Sequence, residues 1–153
     1  MSDADMMQLY SKRILALAAD IPHLGQIADA QGSAMKRSPQ CGSTVTAHVR
    51  MQDGRISDFG QEVRACALGQ ASAGVLGQAV MGASRDDIAR GAAQLLAMLK
   101  DGGPVPDAPW HGLEVLVPAR DYPNRHASIM LSWQAALAAI DAAIGAEDRA
   151  VPG

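Results

Sequence analysis

The chain carries two thiols, Cys41 and Cys66, and the residues around each suit chemistry better than packing. Cys41 lies in the turn-like segment Ser38-Pro39-Gln40-Cys41-Gly42-Ser43, where Gly42 lets the backbone approach whatever the sulfur binds. Cys66 opens the Ala-rich run Ala65-Cys66-Ala67-Leu68-Gly69-Gln70-Ala71-Ser72-Ala73, which reads as a helix start. Unpaired backbone N–H groups and the helix dipole at such a start favour the anionic sulfur that a metal or an electrophilic sulfur requires. Arg64, two residues upstream, adds positive charge. The stretch between the two thiols can hold a β-hairpin, which returns its far end near its start. The spacing therefore allows one shared site, in which the pair supplies half of a four-coordinate centre. The competing reading of Cys66 is a small buried apolar residue, and the pair is not a CxxC motif.

Other candidates are fewer. His126 stands at the entry of the last predicted helix and is either a third ligand or a hydrogen-bonded helix-start residue. His48 falls on the polar face of a strand, and His23 and His111 fall in loops. Asp86 and Asp87 read as first-turn helix charges rather than catalytic carboxylates. Gly69, Gly74 and Gly77 lack the Lys-Ser/Thr pair of a phosphate-binding loop.

The elements that must position these residues follow from periodicity. Met6 to Ala19 has the apolar spacing of an amphipathic helix, closed by Pro22 and Gly25. Asp29 to Arg37 reads as an edge strand. Thr44 to Met51 alternates, with Val45, Ala47 and Val49 on one face and Thr46, His48 and Arg50 on the other. Asp53-Gly54 predicts a hairpin turn into Arg55 to Val63, with a bulge near Ser57 or Gly60. A helix from Cys66 to Met81 ends at Gly82, and Ser84 caps the next, which ends before Gly102. Leu113 to Val117 is a short apolar run of open type, and the last helix is placed at His126 to Ile144. Strands and helices are segregated, which predicts an α+β domain with a small antiparallel sheet and helices packed on it. One domain over residues 1–145 and a flexible tail over 146–153 are expected.

Composition narrows the classes. The 153 residues are 48% hydrophobic but only 3% aromatic, so the core must be built from Ala, Leu, Val, Ile and Met. The net charge of −3, without a basic block, speaks against a nucleic-acid partner. An acidic start and the expected lack of a membrane-length apolar stretch point away from a membrane and to the cytoplasm. In a reducing compartment two cysteines point to metal or catalysis rather than a structural disulfide.

Three segments resemble one family, the IscU/NifU N-terminal iron–sulfur cluster assembly scaffolds, and within it the SufU branch. Pro39-Gln40-Cys41-Gly42 is similar to its Pro-x-Cys-Gly-Asp segment. Ala65-Cys66-Ala67-Leu68-Gly69-Gln70-Ala71-Ser72 is similar to its Gly-Cys-x-Ile-Ser-x-Ala-Ser segment. Pro123-Asn124-Arg125 through Leu131-Ser132-Trp133 is similar to the SufU segment Pro-x-Arg-x-x-Cys-x-x-Leu-x-Trp. The resemblance implies a site of three cysteines and one aspartate. In this chain Cys41 and Cys66 match two of the cysteines, Ser43 stands at the aspartate position and Ser128 at the third cysteine. It also implies partnership with a cysteine desulfurase and with iron–sulfur acceptor proteins, and a role that is not turnover catalysis. Three functions are expected in turn. The first is a scaffold or carrier binding iron or a transient iron–sulfur cluster through Cys41 and Cys66, shared across a homodimer. The second is a zinc-dependent sulfur acceptor, with zinc on Cys41, Cys66, His126 and water. The third is a divergent, non-catalytic binding paralogue.

Overall fold

The computed structural model describes residues 10–39 and 42–150, and side chains up to residue 146. Its frame is a three-stranded antiparallel sheet in the order β1-β2-β3, formed by Gly32–Arg37, Thr44–Gln52 and Arg55–Arg64. The β2–β3 hairpin turns at Asp53 and Gly54, whose φ angles of 54° and 78° are both left-handed, as the favoured two-residue turn requires. The register steps between the pairs Arg50–Asp58 and Met51–Ile56, so Ser57 is the bulged residue. That extra residue shifts the phase of β3, and Ile56 and Phe59 both become buried although three residues apart. β1 is an edge strand, as expected, but shorter than the expected Asp29 to Arg37.

One face of the sheet carries Val45, Ala47, Val49 and Phe59, all buried, and the helices cover it. The first described helix, α1 (Lys12–Ala19), is capped by the Ser11 hydroxyl; the expected stretch Met6 to Leu9 lies outside the described residues. α2 (Ala67–Ala79) runs through the middle of the fold and is apolar nearly all round. α3 (Arg85–Lys100) starts in a capping box of Ser84 and Asp87, which places both acidic residues at its N-terminus as charges. The apolar run after it belongs to a 3₁₀ segment, His111–Asp121, burying Leu113, Val115 and Leu116. The last helix, α4, spans Pro123–Ala150. It exceeds the expected His126 to Ile144 at both ends. Proline is tolerated in a first helical turn, and Gly145 sits in a run of helix formers.

α4 crosses β1 and β2 at close range. A Cβ on Gly32 would lie 2.1 Å from the Ala139 carbonyl oxygen and 2.4 Å from the Ala143 nitrogen. With Ala135, Ala136, Ala139 and Ala143 buried on the helix side, backbone meets backbone, and the scarcity of aromatics is explained. This helix also corrects the membrane reading. Pro123–Ala146 is long and apolar enough to cross a bilayer by length and composition, yet its apolar stripe is packed against the sheet and the other helices.

The two tryptophans join the helices. Trp110 and Trp133 meet edge to face with centroids 5.0 Å apart. The indole N–H of Trp110 donates to the Asp87 carbonyl, and that of Trp133 donates to Ser72 Oγ. Gly91 of α3 makes this packing possible, because a Cβ there would lie 2.7 Å from atoms of both rings. Gly91→Ala should therefore cost about 1–3 kcal/mol in urea unfolding despite alanine's better helix propensity; an unchanged midpoint would contradict this packing.

The α3 cap gives a pH signature. Hydrogen bonds from the Ser84 backbone N–H and then its hydroxyl, opposed by partial burial and aided by Arg90 and Arg55, hold the Asp87 carboxyl below its ordinary range. A depressed folded value means stability that is present at neutral pH and lost as pH falls through that value. Asp87→Asn should be less stable than the parent at pH 7, and the difference should shrink on acidification below the ordinary carboxylate range. A difference that is constant with pH would rule out the cap as its source.

Candidate metal centre

Three of the four positions singled out in the sequence come together at one end of the sheet. Cys66 is the N-cap residue of α2, with extended backbone and no capping bond of its own, so its sulfur is available for other contacts. Its Sγ lies 3.5 Å from Ser128 Oγ on α4. Ser128 in turn donates to Ser43 Oγ at 3.3 Å, just before β2. Both serines are buried and Cys66 is half-buried. Cys41 lies outside the described residues, so its pairing with Cys66 stands as an expectation. The ends of its segment are tied: Gly42 N–H donates to Ser38 O and Ser38 N–H to Ser43 O, each at 2.9 Å. Cys41 is thus two residues along the chain from a member of the cluster.

The spacing suits coordination. Ligands about 2.1–2.3 Å from a tetrahedral metal lie roughly 3.4–3.8 Å from one another. The Cys66–Ser128 and Ser128–Ser43 distances are close to such edges. The donor chemistry is weaker than the spacing. A serine hydroxyl keeps its proton near neutral pH and is a poor ligand beside a thiolate or carboxylate. Among the described residues no group of three or more His, Cys, Asp or Glu gathers as a metal site. Among the described residues of the cluster, Cys66 is the one strong ligand for a soft metal.

His126 faces elsewhere. It is buried, and its Nε2 lies 2.8 Å from the Ala119 carbonyl oxygen. A carbonyl only accepts, so Nε2 is the donor in this contact. Two residues apart on a helix, His126 and Ser128 project about 200° from one another. The two residues thus address different surroundings. His48, expected on an exposed polar face, is partly covered there, between Ser33 Oγ at 2.7 Å and Glu62 Oε1 at 3.3 Å.

Two features that hold the cluster were not singled out in the sequence. Gly69 leaves room for Ser128, since a Cβ on it would lie 2.7 Å from Ser128 Oγ. Ser72, one turn further along α2, donates to the Ile129 carbonyl at 2.8 Å and accepts from Trp133 Nε1 at 3.0 Å. The signal available beforehand was a hydroxyl in an otherwise apolar helix, facing a tryptophan that needs an acceptor. The register sets Arg37 and Arg64 on either side of Thr44, on the sheet face turned away from the helices.

This architecture, a three-stranded antiparallel sheet with helices packed on one face, has counterparts among known proteins. The profile of the NifU-like N-terminal domain matches residues 9–112. The crystal structure of a nitrogen-fixing NifU-like protein (N-terminal) from Brucella abortus is 38% identical, with a TM-score of 0.89 over 92% of this chain and 98% of that one. A protein proposed as an iron–sulfur cluster assembly scaffold of the SUF system, from the thermophile Fervidobacterium islandicum AW-1, is 21% identical with a TM-score of 0.74 over 84% of this chain and 94% of that one; at that identity the likeness speaks for the fold. No curated protein matches the sequence. The chain belongs to the NifU-like N-terminal domain family.

If Ser128 occupies a ligand position, Ser128→Cys should convert the edge to a dithiolate without repacking. Titration with Co(II) should then show a stronger sulfur-to-metal charge-transfer band and affinity higher by about tenfold or more than the parent. Identical titrations of parent and variant would remove Ser128 from the site.

Proposed function

We propose that this protein is an iron–sulfur cluster assembly scaffold or carrier, and that it holds the cluster as cargo through Cys41 and Cys66. The observation that carries this reading is the convergence of Cys66, Ser128 and Ser43 at tetrahedral-edge spacings in a fold of the NifU-like family. Clusters of this kind are held by four thiolates, and one chain has two. Two copies supply four, so the cluster bridges a homodimer with Cys41 and Cys66 of each. Sulfur arrives from a cysteine desulfurase, and the finished cluster leaves to an acceptor protein. The chain positions and protects the cargo rather than turning over a substrate, and it works in the cytoplasm, where its thiols stay reduced.

Anaerobic reconstitution with ferrous iron, sulfide and a non-thiol reductant tests this directly. Visible charge-transfer absorption should rise together with dimer formation on gel filtration, at one cluster per two chains. Cys66→Ser and Cys41→Ser should each abolish both. A colourless monomer from the parent chain would overturn the proposal. The zinc reading, with Cys41, Cys66 and His126, would be favoured instead by about one tightly held zinc per chain as purified, lost in His126→Gln.

A further inference from the structure

The sheet has two outer edges, and the fold treats them differently. The edge of β3 is covered: Gln61 exchanges backbone hydrogen bonds with His23 and Gly25, and Ile56 with Gly82 and Ala83. β1 pairs with β2 on one side, and among the described residues nothing bonds the main chain of Gly32–Arg37 on the other. An edge strand directs every second N–H and C=O outward, so this ladder is ready for one more strand. The face of β1 turned away from the helices carries Ser33, Met35 and Arg37, all exposed, and the helix side carries Ala34 and Lys36. Beside Lys36, between β1 and α4, lies an open groove of about 480 Å³ whose other walls are Gln134, Leu137, Ala138 and Asp141. Its apolar part is Leu137 and Ala138, and the Asp141 carboxylate is already paired with Arg85.

Charge decides what fills this edge. Lys36 and Arg37 are neighbours at its end, one on each face, and neither forms an ion pair among the described residues. A second copy paired edge to edge would gather four cations along one ladder, which is a known device against self-pairing. We propose that the β1 edge docks an extended acidic segment of a partner protein, added antiparallel as a fourth strand. Antiparallel pairing is the more stable per residue, and the register then sets the chemistry of the segment. The residues opposite Arg37 and Lys36 are acidic, one on each face. The residues opposite Met35 and Ala34 are apolar: the first covers the exposed methionine, and the second enters the groove over Leu137 and Ala138. From its N-terminus the segment therefore reads acidic, acidic, apolar, apolar. Main-chain hydrogen bonds supply the affinity, and these four side chains supply the selection. No part of this rests on the scaffold reading.

The probe is the peptide acetyl-Thr-Glu-Glu-Val-Val-Thr-amide, titrated into the metal-free chain and followed by amide NMR. Shifts should concentrate on residues 33–37 and on Leu137 and Ala138. N-methylation of every second probe amide should abolish binding in one phase, where the donors face β1, and preserve it in the other, where they face solvent. The reversed sequence should bind about tenfold more weakly or worse. Lys36→Glu combined with Arg37→Glu, both at exposed positions, should weaken the acidic probe by about tenfold or more and should take up the matching probe with lysines in place of the glutamates. That exchange of preference also shows that the variant's edge is folded. No binding of the acidic probe, shifts remote from β1, or indifference to both N-methyl phases overturns the strand addition. Equal binding of the forward and reversed peptides overturns the antiparallel register, and an unchanged preference in the double variant overturns the charge selection. Self-association of the free chain with the same β1 shifts would make a second copy the occupant and would overturn the proposal as well.

Discussion

One hydroxyl governs the relation between the two helices that build the site. Ser72 is fully buried, donates to the Ile129 carbonyl of α4, and accepts the indole proton of Trp133. Each of these groups would be costly to bury alone, and together they satisfy one another. The arrangement fixes α2 against α4 in rotation as well as distance. One turn earlier along α2, Gly69 meets Ser128, and at the helix start Cys66 meets the same residue. The approach of Cys66 to Ser128 is thus a consequence of a polar contact deeper in the core.

The sheet side is set by size rather than polarity. Gly32 and the alanines of α4 let β1 lie almost in backbone contact with the helix, which brings the start of β2, and with it Ser43, to the same end of α4. Larger residues would fill the core equally well by area but would hold the layers apart. The bidentate pair of Arg85 with Asp141 joins α3 to α4 from outside, and both side chains are solvent-accessible, so its contribution is modest beside the packed interior.

Much of this was legible in the sequence where local chemistry decides. Asp53-Gly54 admits one turn, Ser84 with Asp87 admits one cap, and the phase conflict between Ile56 and Phe59 demanded a bulge, found at Ser57. The α+β class followed from the segregation of strands and helices. The convergence of Cys66, Ser128 and Ser43 was legible only through the family resemblance, because contacts between positions so distant in the chain leave no local periodicity. The 3₁₀ segment was not legible, since Leu113 to Val117 is too short for any period to show. Nor was the orientation of His126, which depends on a carbonyl belonging to the preceding segment. The close α4–β1 contact was hidden because small residues read as weak hydrophobes in a pattern, while their value lies in what they leave out.

The exchange of ligands for hydroxyls changes the empty site as well as the loaded one. The set implied by the family resemblance, three cysteines and an aspartate, gathers groups that repel one another once ionised, and a bound metal relieves that repulsion. In this chain Ser128 donates to Ser43, and both stand neutral and paired in the absence of any cargo. A metal held by these hydroxyls would displace that hydrogen bond rather than relieve a repulsion, so serines at the cysteine and aspartate positions lower the drive to bind a cation at this corner of the fold.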